Sequence, residues 1–195
     1  MASIWGICSF GSGAEAFCEI RTDPISKKDV EKHCHNYLFD HEGCVVVMTV
    51  TEASQLAGRA HAGQTDKAGR LYVEHVLAVR DLLADRGEHA RTAGVLHGVL
   101  GDTTVTVDEP RAHGCPESVI RAVEAVTHRP AETYEDCLRR SAADPLGRPV
   151  KMADNEHNSD EERLAALPAA QAERLRAKYA RARSILRASE RSRYR

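Results

Sequence analysis

Three segments of the sequence hold side chains that can do chemistry. They are Ala60-His61-Ala62-Gly63-Gln64 leading to Tyr72-Val73-Glu74-His75, Val95-Leu96-His97-Gly98-Val99-Leu100-Gly101-Asp102-Thr103, and Val150-Lys151-Met152-Ala153-Asp154 continuing to His157-Asn158. Each puts an imidazole or a carboxylate inside or at the end of a predicted helix, among small apolar neighbours. Facing helices of a bundle are a natural place for such groups to converge as ligands. Other chemistry finds less support. The cluster His33-Cys34-His35 with His41 and Cys44 holds zinc-compatible donors but lacks paired CxxC spacing. No strained turn marks a nucleophile of the Ser-His-Asp or Cys-His kind.

In this order and spacing the three segments resemble the HD superfamily of metal-dependent phosphohydrolases, in particular the guanosine tetraphosphate hydrolase domains and their small stand-alone relatives. The likeness runs over about residues 50–187 and includes Ala122-Val123-Glu124-Ala125-Val126-Thr127-His128 and Arg174-Leu175-Arg176-Ala177-Lys178-Tyr179. The resemblance implies an all-α, HD-type helical bundle that hydrolyses a nucleotide phosphate with metal-held water. It further implies one divalent ion, Mn2+ in most of the family, on His75, on His97 with its successor, and on Asp154. Asn158 matches a position near the substrate, one turn beyond Asp154 and so on its face, although Asn also caps helix C-termini. Lys151 and Arg148 are either phosphate-oxygen contacts or ordinary solvated cations. His61 and Gln64 either line the cleft or serve the fold.

The departures from the pattern are informative. After His97 stands Gly98, where the family has Asp, and Gly101-Asp102 replaces the usual Glu-Asp, whose Glu, as the resemblance implies, helps activate or position the attacking water. Upstream, Asp66 and then Lys67 stand where the hydrolases carry an arginine that stacks on guanine. Two imidazoles and a carboxylate are still a feasible facial set for a transition metal, but one ligand fewer weakens binding and leaves the bound water less tightly positioned. Asp102 keeps a carboxylate beside the site, as a partial base or as the start of a loop. Gly94, Gly98 and Gly101 share one face of the predicted third helix, each at a cost of about 0.8–1 kcal/mol relative to Ala. That face either approaches a ligand or helix closely, or records an active site in decay.

The elements that must position these groups are helical. The chain has 195 residues, 42% hydrophobic and 5% aromatic, so a core of Ala, Leu and Val is expected, which suits helices at close range. Helices are predicted over residues 52–62, 72–86, 88–100, 131–142, 145–157 and 168–189, with another behind Pro116 carrying Val119, Ile120, Val123 and Val126. Thr49 has capping-box spacing to Glu52, with Thr51 as an alternative cap. Residues 1–47 lack a helical period and form an N-terminal extension whose structure the pattern does not give, ahead of a helical domain over 48–195. Residues 44–50 suit a short strand or an extended lead into the first helix.

Charge excludes some functions. A net charge of −2 provides no global basic field for nucleic acid, and no apolar run approaches a membrane span. A soluble, cytoplasmic protein is expected, with its six cysteines as thiols. Residues 171–195 carry a formal +7, leaving −9 upstream. Leu175, Tyr179, Ala182 and Leu186 recur at spacings that dock one face of this last helix while its cations stay wet. The expected function is metal-dependent hydrolysis of a nucleotide phosphate ester. Its rivals are a non-catalytic module that binds nucleotide or metal, and an anion- or nucleic-acid-binding accessory working through the basic tail.

Overall fold

The computed structural model describes residues 4–9, 15–20, 37–40 and 43–191, with side chains over 47–188. The chain divides into two compact units, Met1–Val47 and Met48–Arg195. In the first, β1 (Ile4–Ser9) pairs antiparallel with β2 (Glu15–Ile20), Ile4 opposite Ile20, and β3 (Tyr37–Asp40) pairs antiparallel with β4 (Gly43–Val46), Tyr37 opposite Val46. The side chains of the zinc-compatible cluster His33, Cys34, His35, His41 and Cys44 lie outside the described residues. Both readings of residues 44–50 hold in part: β4 ends at Val46 and the first helix begins at Val50.

The second unit is all α. Its helices are α1 (Val50–Ala60), α2 (Tyr72–Asp81), α3 (Glu88–Leu96), α4 (Val99–Asp102), α5 (Asp108–Ala112), α6 (Glu117–Val126), α7 (Tyr134–Ala143), α8 (Gly147–Asn158), α9 (Glu161–Ala165) and α10 (Ala169–Arg191). Thr49, not Thr51, caps α1: its Oγ1 accepts from the Glu52 N–H while Glu52 accepts from the Thr49 N–H, so two orphan donors are satisfied at once. Gly63, with φ +75°, turns the chain away after α1. Pro116 is the N-cap of α6 rather than a residue of its first turn. The short helices α5 and α9 carry no periodic signal in the sequence. Asp160 starts α9 by accepting from the Arg163 N–H.

α3 is the central rod. Ala90 and every residue from Thr92 to Leu96 are buried, so it is enclosed on nearly all sides, as a helix at the centre of a bundle must be. Small side chains permit this. A Cβ built on Gly94 would lie 2.6 Å from Leu83 Cδ1 and 3.5 Å from Arg80 Cα, so Gly94 is where α3 meets the end of α2. The continuous helix predicted over 88–100 is broken at His97-Gly98. The His97 ring donates to the Gly94 carbonyl over 2.6 Å, taking an acceptor the backbone ladder would use, and the glycines add little to hold the helix together. The predicted helix over 72–86 likewise ends at Asp81, followed by a tight turn at Ala84–Arg86 that Gly87 closes at φ +83°.

α6 and α7 are joined by Arg140, which donates to the carbonyls of Glu124, Ala125 and Thr127 at the end of α6 and pairs with Glu132 at 2.6 Å. α10 docks through the second half of its predicted apolar face: Ala182 and Leu186 are fully buried, while Leu175 and Tyr179 are only half-buried and line a cleft. Several of its cations are already engaged. Arg176 pairs with Glu161, Arg181 with Glu135, and Lys178 Nζ lies 4.2 Å from the centre of the Tyr134 ring. No described helix is long and apolar enough to cross a membrane.

Candidate metal centre

His75 sits on the second turn of α2, His97 caps the C-terminus of α3, and Asp154 lies in the last half of α8. Three helices of different sequence position thus deliver one side chain each to the same buried point. His75 Nε2 is 3.2 Å from His97 Nε2 and 3.4 Å from Asp154 Oδ1, and His97 Nε2 is 3.8 Å from that oxygen. Among the described residues these three form a group able to hold a metal ion, with ligand atoms all within 4.8 Å of one another.

The hydrogen bonds around the triad say what it can do. A carbonyl only accepts, so His97 carries its hydrogen on Nδ1, toward Gly94, and presents a bare Nε2 to the other two groups. Burial, with His75 beside it, pulls His97 down to about 4 against the pull of Asp154, so the ring is neutral at pH 7, as a ligand must be. Burial alone would push the Asp154 carboxyl up. Lys151, His75 and His97 outweigh it and hold the group well below the ordinary carboxylate range. Lys151 Nζ donates to Asp154 Oδ2 over 2.9 Å and Asn158 Nδ2 donates to Oδ1 over 2.5 Å. A bare imidazole nitrogen and an ionised carboxylate oxygen, out of water and facing a second imidazole, fit a divalent cation by donor type.

Gly98 leaves no empty room. A Cβ there would meet Tyr72 Oη at 2.9 Å, Tyr72 Cε1 at 3.1 Å and Asp102 Oδ2 at 3.2 Å. Tyr72 donates to Asp102 Oδ2 over 2.9 Å, and its ring packs between His61 and His75 with centroids 4.7 and 5.3 Å away. Gly101 is different, since a Cβ there meets only Thr127 Cγ2, at 3.4 Å. Of the three glycines on the predicted face, Gly94 and Gly98 are therefore positions of close approach, and Gly101 is not.

Asp102 stands at the end of α4, exposed, one hydrogen bond from Tyr72 and so one residue removed from the triad. Gln64 holds the same loop, donating to the Asp102 carbonyl over 2.8 Å and receiving the His61 Nδ1–H over 2.7 Å. His61 is buried and serves this clamp. Beside the triad opens a cleft of about 330 Å³ lined by Asp66, Lys67, Tyr72, His75, Asn158, Arg163 and Tyr179, with Leu164, Leu167 and Leu175 as its apolar wall. Lys67 and Asn158 thus reach the cleft. Lys151 lies behind it on Asp154, and Arg148 begins the same helix without lining the cleft. Where the resemblance has a guanine-stacking arginine, Asp66 is turned onto its own loop, accepting from the N–H groups of Ala68 and Arg70 and from Arg163 at 2.7 Å.

The Lys151, Asp154 and Asn158 contacts follow helix spacings of three and four and were readable as one face. The Tyr72–Asp102 and Arg163–Asp66 pairs span 30 and 97 residues, and no local pattern announces them.

No family model matches the sequence. Over 120 residues the chain is 33% identical to a GTP pyrophosphokinase of Streptomyces coelicolor and 31% identical to a probable GTP pyrophosphokinase of Mycobacterium leprae. Each match takes in 56% of this chain but only 14% and 15% of those proteins, so the chain spans a small part of the length of the curated relatives it matches. Among solved structures it superposes on a metazoan ortholog of SpoT, described as hydrolysing ppGpp and playing a role in starvation responses. That match has a TM-score of 0.59 and 20% identity, over 72% of this chain and 86% of the other. The chain resembles a guanosine tetraphosphate hydrolase domain. Its helical unit has the HD-type fold, and the order of His75, His97 and Asp154 along it is the order of ligands the resemblance implies.

Proposed function

We propose that the chain is a metal-dependent phosphohydrolase domain of the HD type, acting on guanosine tetraphosphate or a nucleotide like it. The observation that carries this reading is the convergence of His75 Nε2, His97 Nε2 and Asp154 Oδ1 within 4.8 Å of one another, beside a cleft that His75 also lines. The shared fold with a ppGpp-hydrolysing protein and the sequence similarity to GTP pyrophosphokinases support the substrate class. In this reading the three side chains hold one divalent ion, Mn2+ as the resemblance implies, and the domain is a cytoplasmic one that meets no membrane.

Such an ion supplies a water that ionises near neutral pH and positive charge against phosphoryl oxygens. The chain does the rest. Lys67 on the cleft neutralises phosphate charge, and Lys151, held on Asp154 behind the cleft, adds positive charge beside the ion. Asn158 orients the Asp154 carboxylate and faces the substrate. Leu164, Leu167, Leu175 and Tyr179 offer a base an apolar and aromatic wall. Asp102, fixed by Tyr72, is the carboxylate left to take or return a proton. With Gly101 in place of an acid, help of the kind typically worth about 100–10,000-fold is reduced, and turnover is slow.

Gly98 and Gly101 are also the observation behind the alternative, a non-catalytic module binding nucleotide or metal. Metal content measured beside Mn2+-dependent hydrolysis of guanosine tetraphosphate separates the two. Metal uptake with turnover that His97→Ala abolishes supports the enzyme. Metal-dependent nucleotide binding without turnover supports the module. A chain that takes up neither overturns both.

A further inference from the structure

A neutral imidazole carries one hydrogen on one of two nitrogens, and a nitrogen that binds metal must be bare. For His97 the Gly94 carbonyl fixes the choice. The equivalent nitrogen of His75, its Nδ1, meets a side chain instead: His157 Nδ1, 2.7 Å away. The ring centres are 5.0 Å apart and the planes 29° from parallel. The two nitrogens are far closer than the two ring centres, so the rings meet edge to edge through them and share a hydrogen bond. His157 comes from α8, three residues beyond Asp154 and on the same helix face.

One hydrogen lies between the two Nδ1 atoms, and it has two owners to choose from. If it belongs to His157, then His75 carries its own hydrogen on Nε2, aimed at His97 Nε2 across 3.2 Å. The triad is then closed by a hydrogen in the place of a cation. If it belongs to His75, the His157 hydrogen is on Nε2, and His75 Nε2 is bare beside the bare nitrogen of His97 and the Asp154 carboxylate. Passing from the first arrangement to the second leaves both rings neutral and releases no net proton, because each ring exchanges the nitrogen that carries its hydrogen. Only the second admits a metal ion.

We propose that His157 is the positioning residue of this centre: its Nδ1 accepts the His75 Nδ1–H and so turns the His75 Nε2 lone pair to the metal. The inference rests on the metal-site reading given under Proposed function. It differs from a packing role in needing an acceptor at residue 157, not merely a ring. Outer hydrogen-bond partners of ligating histidines are typically worth about 10–100-fold in metal affinity.

The test uses the full chain, with His157→Phe, which keeps a ring and removes the acceptor, and His157→Asn, whose amide oxygen accepts close to where Nδ1 stands. Mn2+ affinity is read by titration, and histidine tautomers by nitrogen-15 spectra of the wild-type chain with and without Zn2+. His157→Phe is expected to weaken Mn2+ binding about 10–100-fold while His157→Asn stays near wild type. In the Zn2+-loaded chain His75 is expected to carry its hydrogen on Nδ1 and His157 on Nε2. Unchanged affinity in His157→Phe, or an equal loss in both variants, overturns the proposal while leaving the metal site standing. If His157→Phe does not fold, the wild-type spectra decide: a hydrogen on His157 Nδ1 in the loaded chain overturns it. A wild-type chain that takes up no metal overturns the metal-site reading itself, and this inference with it.

Discussion

Restoring the two carboxylates that Gly98 and Gly101 lack is the sharpest perturbation of the site, and the two positions are not equivalent. At 101 the way is open: the new Cβ meets only Thr127 Cγ2, at 3.4 Å, and replacing Gly by Glu in α4 gains up to about 1 kcal/mol in helix propensity. At 98 the new Cβ falls 2.9 Å from Tyr72 Oη and 3.2 Å from Asp102 Oδ2. Tyr72 must swing, breaking its bond to the Asp102 carboxylate at about 1.5–3 kcal/mol. Crowding in a packed site adds about 1–3 kcal/mol, and a second carboxylate is set beside Asp102. Against a propensity gain below about 1 kcal/mol, Gly98→Asp alone should destabilise the metal-free chain by about 2–6 kcal/mol. That corresponds to a fall of roughly 5–25 °C in melting temperature for a unit of this size.

Metal reverses the sign. The added carboxylate supplies a fourth ligand next to His97, so Mn2+ should raise the melting temperature of Gly98→Asp far more than that of the wild type. Tyr72→Phe removes the hydroxyl that occupies the room, and Gly98→Asp with Tyr72→Phe should lose less stability than Gly98→Asp alone. The pair Gly98→Asp and Gly101→Glu should recover metal binding and some hydrolysis, with effects that do not add, since an acid that orients water is useful only when the water is held. Thermal melts with and without Mn2+, calorimetric titration and nucleotide hydrolysis read all four variants. A metal-free Gly98→Asp chain at least as stable as wild type refutes the crowding argument. A double variant that binds Mn2+ no better than wild type refutes the assignment of His75, His97 and Asp154 as ligands.

Three further outcomes are expected. The wild-type chain should hydrolyse guanosine tetraphosphate far more slowly than an HD enzyme with both acids, and robust Mn2+-dependent turnover would show that another carboxylate, Asp102 foremost, makes up the loss. A chain starting at Met48 should stay helical and unfold cooperatively, because every described helix and both described buried clusters lie in 48–195; a large fall in its melting temperature would show that the extension supports the bundle. Metal-free stability should fall in mild acid. His97 and His157 both drop from an ordinary 6.5 to about 4 in the fold, chiefly through burial, so between those values the unfolded chain binds the extra protons, and stability that is full above pH 6.5 declines toward pH 4, by on the order of 3 kcal/mol from the buried His97 alone. Denaturant midpoints that do not move over this range would refute the burial argument.

The legible part of this molecule was the part written in local pattern. The Thr49–Glu52 box, the buried stripe of α6 and the seam of Ala182 and Leu186 on α10 all follow from spacing within one element. The proposed ligand set became legible through the resemblance of three ordered segments, since spacing alone does not say which of ten histidines meet. What escaped was tertiary. The break at His97-Gly98 arises from a side chain competing for a backbone carbonyl. The partners of Tyr72, Asp66 and His75 come from elements that only the fold brings near, and α5 and α9 are single turns too short to show a period.

The charge balance at the centre gives one more expectation. Asp154 is the single carboxylate of the triad, and Lys151 sits on it at 2.9 Å, so a divalent ion bound there leaves a formal +2 where a site with Asp at 98 would leave +1. A phosphate oxygen is then the natural missing anionic ligand. Metal and nucleotide should bind cooperatively, and because the coupling is a free energy between two sites, each must tighten the other by the same factor, about 5–150-fold in typical cases. Mn2+ affinity measured at buffered free metal with and without guanosine tetraphosphate reads one side, and nucleotide affinity with and without Mn2+ reads the other. Gly98→Asp with Tyr72→Phe should shrink the factor, since it supplies the charge the nucleotide otherwise brings. Independent binding in the wild type, or a factor unchanged by the new carboxylate, would mean that the phosphates do not reach the point where His75, His97 and Asp154 meet.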